Sequence, residues 1–345
     1  MTMEANKKGT AKKILLVILL VLAAAAIGFF LHIRLQRQQA VYQVKVDENA
    51  LENREEGEVS YRKIEVDGQT YRYNTGITNI LYMGVDTESA DEADVETAQA
   101  AGQADAIMLL SVDRRTRDVQ IIAIPRDTMT KIRMYDNAGN YLGKATQHLS
   151  LAYAYGDGED KSCRLVAEAV SQLLEDIPIQ KYISSDLSSI SQINDLVGGV
   201  TVTVPGDDLE YLGARFKKGR TLKLEGEMAE QFVRSRNTEE DFSNAGRMER
   251  QKVYLTAYLE KLQERANEDM EGLLSDIEDL EDLTVSNLTA TDLEQLLTIL
   301  SENDLNEENY HILEGEDRLG ELHDEFYADE EKLQELILDL YYVKV

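Results

Sequence analysis

The hydrophobic pattern divides the chain sharply near its start. Lys7, Lys8, Lys12 and Lys13 precede an uninterrupted apolar run over residues 14–33, uncharged when His32 is neutral. A helix of about 20 residues spans ~30 Å, the hydrocarbon thickness of a bilayer. The lysine excess ahead of the run predicts a cytoplasmic tail (1–13), a single transmembrane helix (14–33) and an extracellular body. A cleavable leader would have an apolar stretch of ~7–15 residues and a small-x-small exit. This run is longer and ends in Phe29, Phe30, Leu31 and Ile33, which favours an uncleaved anchor. Residues 34–60 are polar and acidic with no apolar period and read as a stalk, leaving 61–345 as the body.

Within the body the pattern shortens. Two alternating runs, 61–66 and 69–74, flank Asp67-Gly68 and predict a hairpin with a type I′ turn. Three brief apolar runs follow at 79–83, 106–112 and 119–124, as expected of strands buried on both faces. The last two are joined by a short charged connection centred near Arg115 and Thr116, which makes them antiparallel neighbours and sets Asp105 opposite Arg126. Residues 87–104 read as a mobile loop. Helical spacing appears at 162–174, 188–197, 225–232, 247–262, 289–300 and 329–340, with Gly198-Gly199 as a stop. Residues 199–204 read as a strand, and the acidic stretch 264–281 as a solvated helix face. Strands mixed with helices over this length predict a three-layer αβα domain around a central mixed β-sheet.

Charge narrows the functional classes. The formal net charge of −29 disfavours nucleic acid, whose binding requires phosphates to be neutralised. Cys163 is the single cysteine, so an intrachain disulfide and a cysteine-cluster metal site are both excluded. Against this acidic background two polar groupings stand out. Asp86, Asp105 and the Arg126-Asp127 pair all lie at strand ends, where α/β sheets build their sites. Two carboxylates with open coordination suit Mg²⁺ bound together with phosphate. Taken singly, each aspartate reads first as a turn or helix cap. Arg234 and Arg236, two apart, would share one face of extended backbone. Arg247 and Arg250, three apart, would share one face in the first turn of a helix, where the dipole disfavours cations. Such a cluster calls for an anion that arginine forks can hold, or for acidic neighbours such as Glu239, Glu240 and Glu249. His148 reads as a packing residue, and there is neither a nucleophilic triad nor a Gly-rich phosphate loop.

From residue 79 onward the chain resembles the LytR-CpsA-Psr family. The matching segments occur in family order: NILYMGVD, DAIMLLSVD, IIAIPRDT, LSLAYAYGDG, LVGGVTVTVP, KGRTLKLEGEMAEQFVRSRN and DFSNAGRMERQ. The resemblance implies a phosphotransferase that moves a glycopolymer, of teichoic acid or capsular polysaccharide type, from a polyprenyl-pyrophosphate carrier to peptidoglycan at the outer face of the cell membrane. It further implies Mg²⁺ held by Asp86 and Asp105, and catalysis by Arg126, Asp127, Arg234 and Arg236. Arg126, Arg234, Arg236, Arg247, Arg250 and Gln251 would bind the pyrophosphate, and an apolar cavity the polyprenyl tail. Two arginines usual in the family are absent: the chain reads Thr87-Glu88-Ser89 after the first aspartate and Gln103-Ala104-Asp105-Ala106 around the second. That departure keeps a polyprenyl-pyrophosphate hydrolase and a non-catalytic carrier-binding protein as alternatives. A transcriptional attenuator is disfavoured by the anchor and the charge.

Overall fold

The computed structural model describes residues 63–86, 101–136, 138–237, 243–303, 305–320 and 323–345. The expected tail, anchor and stalk, and residues 87–100 of the expected loop, lie outside them. Among the described residues no helix is long and apolar enough to cross a membrane.

The centre is a six-stranded mixed sheet. It contains β3 (Ile77–Asp86), β4 (Gln103–Asp113), β5 (Val119–Ile124), β8 (Lys181–Asp186), β11 (Thr284–Ser286) and β12 (Tyr310–Ile312), in the order β11-β8-β3-β4-β5-β12. The β4–β5 pair is antiparallel, as the short connection demanded, and so is β3–β4, whereas β8 and β12 run parallel to their neighbours β3 and β5. The loop expected up to residue 104 ends sooner, because Gln103 and Ala104 already pair with β3. Ahead of the sheet, β1 (Lys63–Val66) and β2 (Gln69–Tyr73) form the expected hairpin. Asp67 and Gly68 both take positive φ, as a type I′ turn requires. The C-terminal β15 (Tyr342–Lys344) adds to β2.

Helices cover both sheet faces. Leu81, Met83, Ile107, Leu109, Ile122 and Ile124 point to one face and pack with α1 (Leu151–Ala154), α2 (Asp160–Leu173) and α8 (Glu330–Tyr341). Ile80, Met108, Val112, Ile121 and Ala123 point to the other, beneath α5 (Asn244–Glu268), α6 (Met270–Glu278) and α7 (Ala290–Glu302). At the margin of the second face, β9 (Val200–Thr203), β10 (Thr221–Leu224), α3 (Ile190–Leu196) and α4 (Glu227–Arg234) share an apolar cluster around Phe216 and Phe232. Thr289 and Asp329, the expected first residues of two helices, are instead the N-caps of α7 and α8. Their side-chain oxygens accept backbone N–H groups that the first turn leaves unpaired.

Several elements escaped the periodicity. The sequence of β8, KYISSD, has two apolar residues, yet Ser184 and Ser185 are buried because their hydroxyls bond Tyr153 and Tyr82. The hairpin of β6 (Met129–Tyr135) and β7 (Tyr141–His148) is fastened to α2 by Glu168, which pairs with Arg133 and Lys144. A last hairpin, β13 (Gly315–Leu319) and β14 (Asp324–Ala328), docks where the Phe326 amide donates to the Asp127 carbonyl at 2.9 Å.

Candidate anion site at the sheet edge

The site begins with a β-bulge. Gly84 pairs with Ala106 but Val85 pairs with Ala104, so Asp105 has no partner on β3. A bulged residue shifts the alternation of its strand. In regular alternation Asp105 would share the α2 face with Ile107 and Leu109. The bulge leaves Ala104 on that face and turns Asp105 toward α5, where Arg247 meets it. Asp86 lies opposite Gln103, so those two side chains share a face.

Arg126 follows β5 and binds three acceptors. It pairs closely with Asp105, donates Nε to Asp127 at 3.1 Å and donates to Gln103 Oε1 at 3.1 Å. The expected opposition of Asp105 and Arg126 is thus a direct ion pair. From α5, Arg247 reaches the other Asp105 oxygen at 3.3 Å and donates to Asn244 Oδ1 at 2.8 Å. Its side chain is 3% exposed and that of Asp105 is 8% exposed. Burial pushes the Arg247 pKa down to about 10; Asp105 opposes the shift, and nearby Arg126 and Arg236 add to it. It remains a cation at neutral pH, held among other cations.

Arg234 and Arg236 do not share an extended face. The helix α4 runs through Arg234, and Ser235 is the first extended residue after it. Arg234 projects from the last helical turn to Asp86 at 2.9 Å and to Glu230, one turn back, at 3.1 Å. Arg236 is half-buried and makes no ion pair or hydrogen bond among the described residues.

The structure therefore brings together Asp86, Asp105, Arg126, Asp127, Arg234, Arg236 and Arg247. Arg250 departs from this grouping. The helix starts at Asn244, which puts Arg250 in its second turn. Its guanidinium is fully buried, pairs with Asp208 at 2.8 Å and makes short contacts to the carbonyls of Phe232 and Ser235. Gln251 is also buried, its amide 3.5 Å from the Val233 carbonyl. Among residues passed over in the sequence, Asn244 carried a usable signal, lying three before Arg247 on one helix. Asp208 carried none, since its partner is 42 residues away.

The donor set suits a hard cation in part. Asp86 and Asp105 offer carboxylates on adjacent strands, which Mg²⁺ accepts when phosphate oxygens complete its shell. Both Asp105 oxygens accept from arginines, and the described residues contain no group of three or more His, Cys, Asp or Glu placed to hold a metal. A phosphate that engaged the arginines would release those oxygens. His148 bonds the Asp324 carbonyl at 3.0 Å, as a packing residue does.

The fold and the charged end of its sheet, where arginines and aspartates interleave, define an α/β domain with an ion-paired cluster at its strand ends. The chain belongs to the LytR_cpsA_psr family, whose model matches residues 36–338. It is 31% identical over 197 residues to the polyisoprenyl-teichoic acid–peptidoglycan teichoic acid transferase TagV of Bacillus subtilis (strain 168), covering 55% of this chain and 44% of the relative. It is 30% identical over 193 residues to Biofilm regulatory protein A of Streptococcus mutans, covering 53% and 44%. The chain thus spans about half the length of these curated relatives. The crystal structure of B. subtilis TagV superposes with a TM-score of 0.59 at 25% identity, over 77% of this chain and 96% of that one. TagT bound to LIIa-WTA shares the fold at 22% identity and a TM-score of 0.55, over 77% and 90%.

Proposed function

We propose that the chain is a phosphotransferase that moves a lipid-linked glycopolymer of teichoic acid type from polyprenyl pyrophosphate to peptidoglycan. The observation that carries this reading is the arginine cluster. Arg247 is buried near Arg126 and Arg236, with Asp105 and Asp127 as the acidic groups beside it. A pyrophosphate would complete the cluster, and Arg236 makes no ion pair or hydrogen bond among the described residues that would compete for it.

The chemistry follows from the charges. An acceptor hydroxyl attacks the phosphorus that bears the polymer. The new P–O bond forms as the bridging P–O bond breaks, polyprenyl phosphate leaves, and the hydroxyl proton passes to a site carboxylate. Negative charge grows on the leaving phosphate, so fixed guanidinium groups stabilise the transition state more than the ground state. Arg126 is oriented for this by Asp105, Asp127 and Gln103. Asp86 and Asp105 would hold Mg²⁺, which supplies further neutralisation of the phosphate oxygens. The polyprenyl tail would supply much of the binding energy, at ~0.8 kcal/mol per buried CH₂. The apolar run at 14–33 and the lysines before it support a single-pass anchor, with the catalytic body outside the cell membrane.

Gln103 favours a second reading. It stands where the family usually has an arginine, and one cationic contact to phosphate is lost there. Slow transfer would then compete with hydrolysis by water. Turnover of a defined lipid-pyrophosphate saccharide, with and without acceptor and Mg²⁺, tests both. Acceptor-dependent release of polyprenyl phosphate is the expected result. Release without acceptor identifies a hydrolase, and no release under any condition refutes both enzymatic readings.

A further inference from the structure

We propose that Asp208 and Arg250 form a positioning pair that sets where Arg234 and Arg236 stand, and that Arg250 is not itself a phosphate ligand. The inference rests on the reading that Arg234 and Arg236 hold a pyrophosphate. A helix leaves its last carbonyls without intrahelical partners. At the end of α4 these are supplied from α5. Arg250 contacts the carbonyls of Phe232 and Ser235, the Gln251 amide faces that of Val233, and the Ser235 amide closes onto Gln231. The residues so pinned flank Arg234 on both sides and immediately precede Arg236. A guanidinium at the negative end of a helix is also favourably placed in the dipole.

Asp208 completes the device. Its carboxylate accepts Arg250 Nε at 2.8 Å, leaving that side chain's other nitrogens for the carbonyls. Burial pushes the Arg250 pKa down and Asp208 opposes the shift. Gly246 makes room for this carboxylate. A Cβ there would stand 2.9 Å from one Asp208 oxygen and 3.0 Å from its Cγ. Glycine in the first turn of α5 otherwise costs about 1 kcal/mol against alanine. The close approach of Asp208 accounts for it. Each guanidinium nitrogen of Arg250 is engaged by Asp208, Phe232 or Ser235, so its influence passes through the α4 terminus.

The test combines a mutant cycle with a measurement that needs no turnover. Asp208→Asn, Gly246→Ala and Arg250→Met are each made alone and in an Arg236→Ala background. Alone, each is expected to lower kcat by ~10–10²-fold with KM changed less than ~3-fold, because misplaced arginines lose transition-state contacts first. In the Arg236→Ala background the further loss should be at least ~3-fold smaller, the remainder passing through Arg234, since residues acting as one unit are not additive. A phosphate ligand would instead give its full loss in both backgrounds, and that result overturns the proposal. In the unliganded protein, exchange of the Ser235 amide should speed up at least ~10-fold in Asp208→Asn while the global unfolding midpoint holds. Unchanged exchange also overturns it. Should the wild type show no turnover, the functional reading fails while the exchange measurement still decides the clamp. If Arg250→Met does not fold, Asp208→Asn and Gly246→Ala carry the test.

Discussion

Replacing Asp105 with asparagine removes a carboxylate that serves two arginines, Arg126 and Arg247. Its side chain is 8% exposed and that of Arg247 is 3% exposed, so the charge left behind cannot turn to water. Removing one partner of a buried ion pair costs ~3–5 kcal/mol. The introduced amide would keep a carbonyl oxygen for one of the two donors, which returns part of a charged hydrogen bond worth ~1.5–3 kcal/mol. The expected net loss is therefore ~2–3 kcal/mol, a fall in Tm of roughly 3–5 °C for a domain of this size. Urea titration in phosphate-free buffer reads it as a lower midpoint at constant slope. Inorganic pyrophosphate should restore more stability to the variant than to the wild type, because binding to the native state adds RT ln(1 + [L]/Kd) and the variant has the larger charge deficit. Arg236→Ala is the control. With no ion pair among the described residues to break, it should stay within ~0.5 kcal/mol of wild type. An Asp105→Asn protein as stable as the wild type would show that the arginines are balanced without it, and the electrostatic argument for an anion site would fall.

Other expectations follow from the same geometry. Arg236→Ala should lower kcat by ~10²–10³-fold, as loss of one preorganised donor does, with a much smaller effect on lipid affinity; wild-type turnover would show that Arg236 does not touch the reacting phosphate. Glu168 is pushed up by burial but pulled further down by Lys144 and Arg133, so its folded pKa lies below the ordinary carboxylate value. Its contribution should be fully present above that ordinary value and lost as pH falls through the folded one. Glu168→Gln should accordingly lower the Tm at pH 7 and converge with wild type in strong acid; a gap independent of pH would assign the effect to shape. Burial raises the Cys163 thiol to about 11, next to the Ser184 hydroxyl at 3.4 Å. It should resist a maleimide at pH 8 until the protein is unfolded; rapid native labelling would contradict the burial.

Much of the framework was legible before the structure. Strands β3, β4 and β5 announce themselves because burial on both faces leaves them almost wholly apolar. Asp67-Gly68 specifies its turn through backbone sterics alone. The charged link between β4 and β5 sets Asp105 against Arg126 because a short connection leaves one antiparallel register. These are local constraints, each acting over a few residues, and a chain displays them in linear order. Other decisions belong to the assembled molecule. Whether Asp105 faces α2 or α5 depends on a bulge with no residue signature of its own in Gln103-Ala104-Asp105-Ala106. Arg247 and Arg250 are indistinguishable in sequence, three residues apart on one helix. One meets Asp105 across 142 residues of chain, and the other meets Asp208 across 42. Which arginine faces the cluster and which braces the end of α4 is set by how α5 lies against the sheet. That placement follows from side chains packing at long range, where charge can be satisfied only by whatever partner folding brings near.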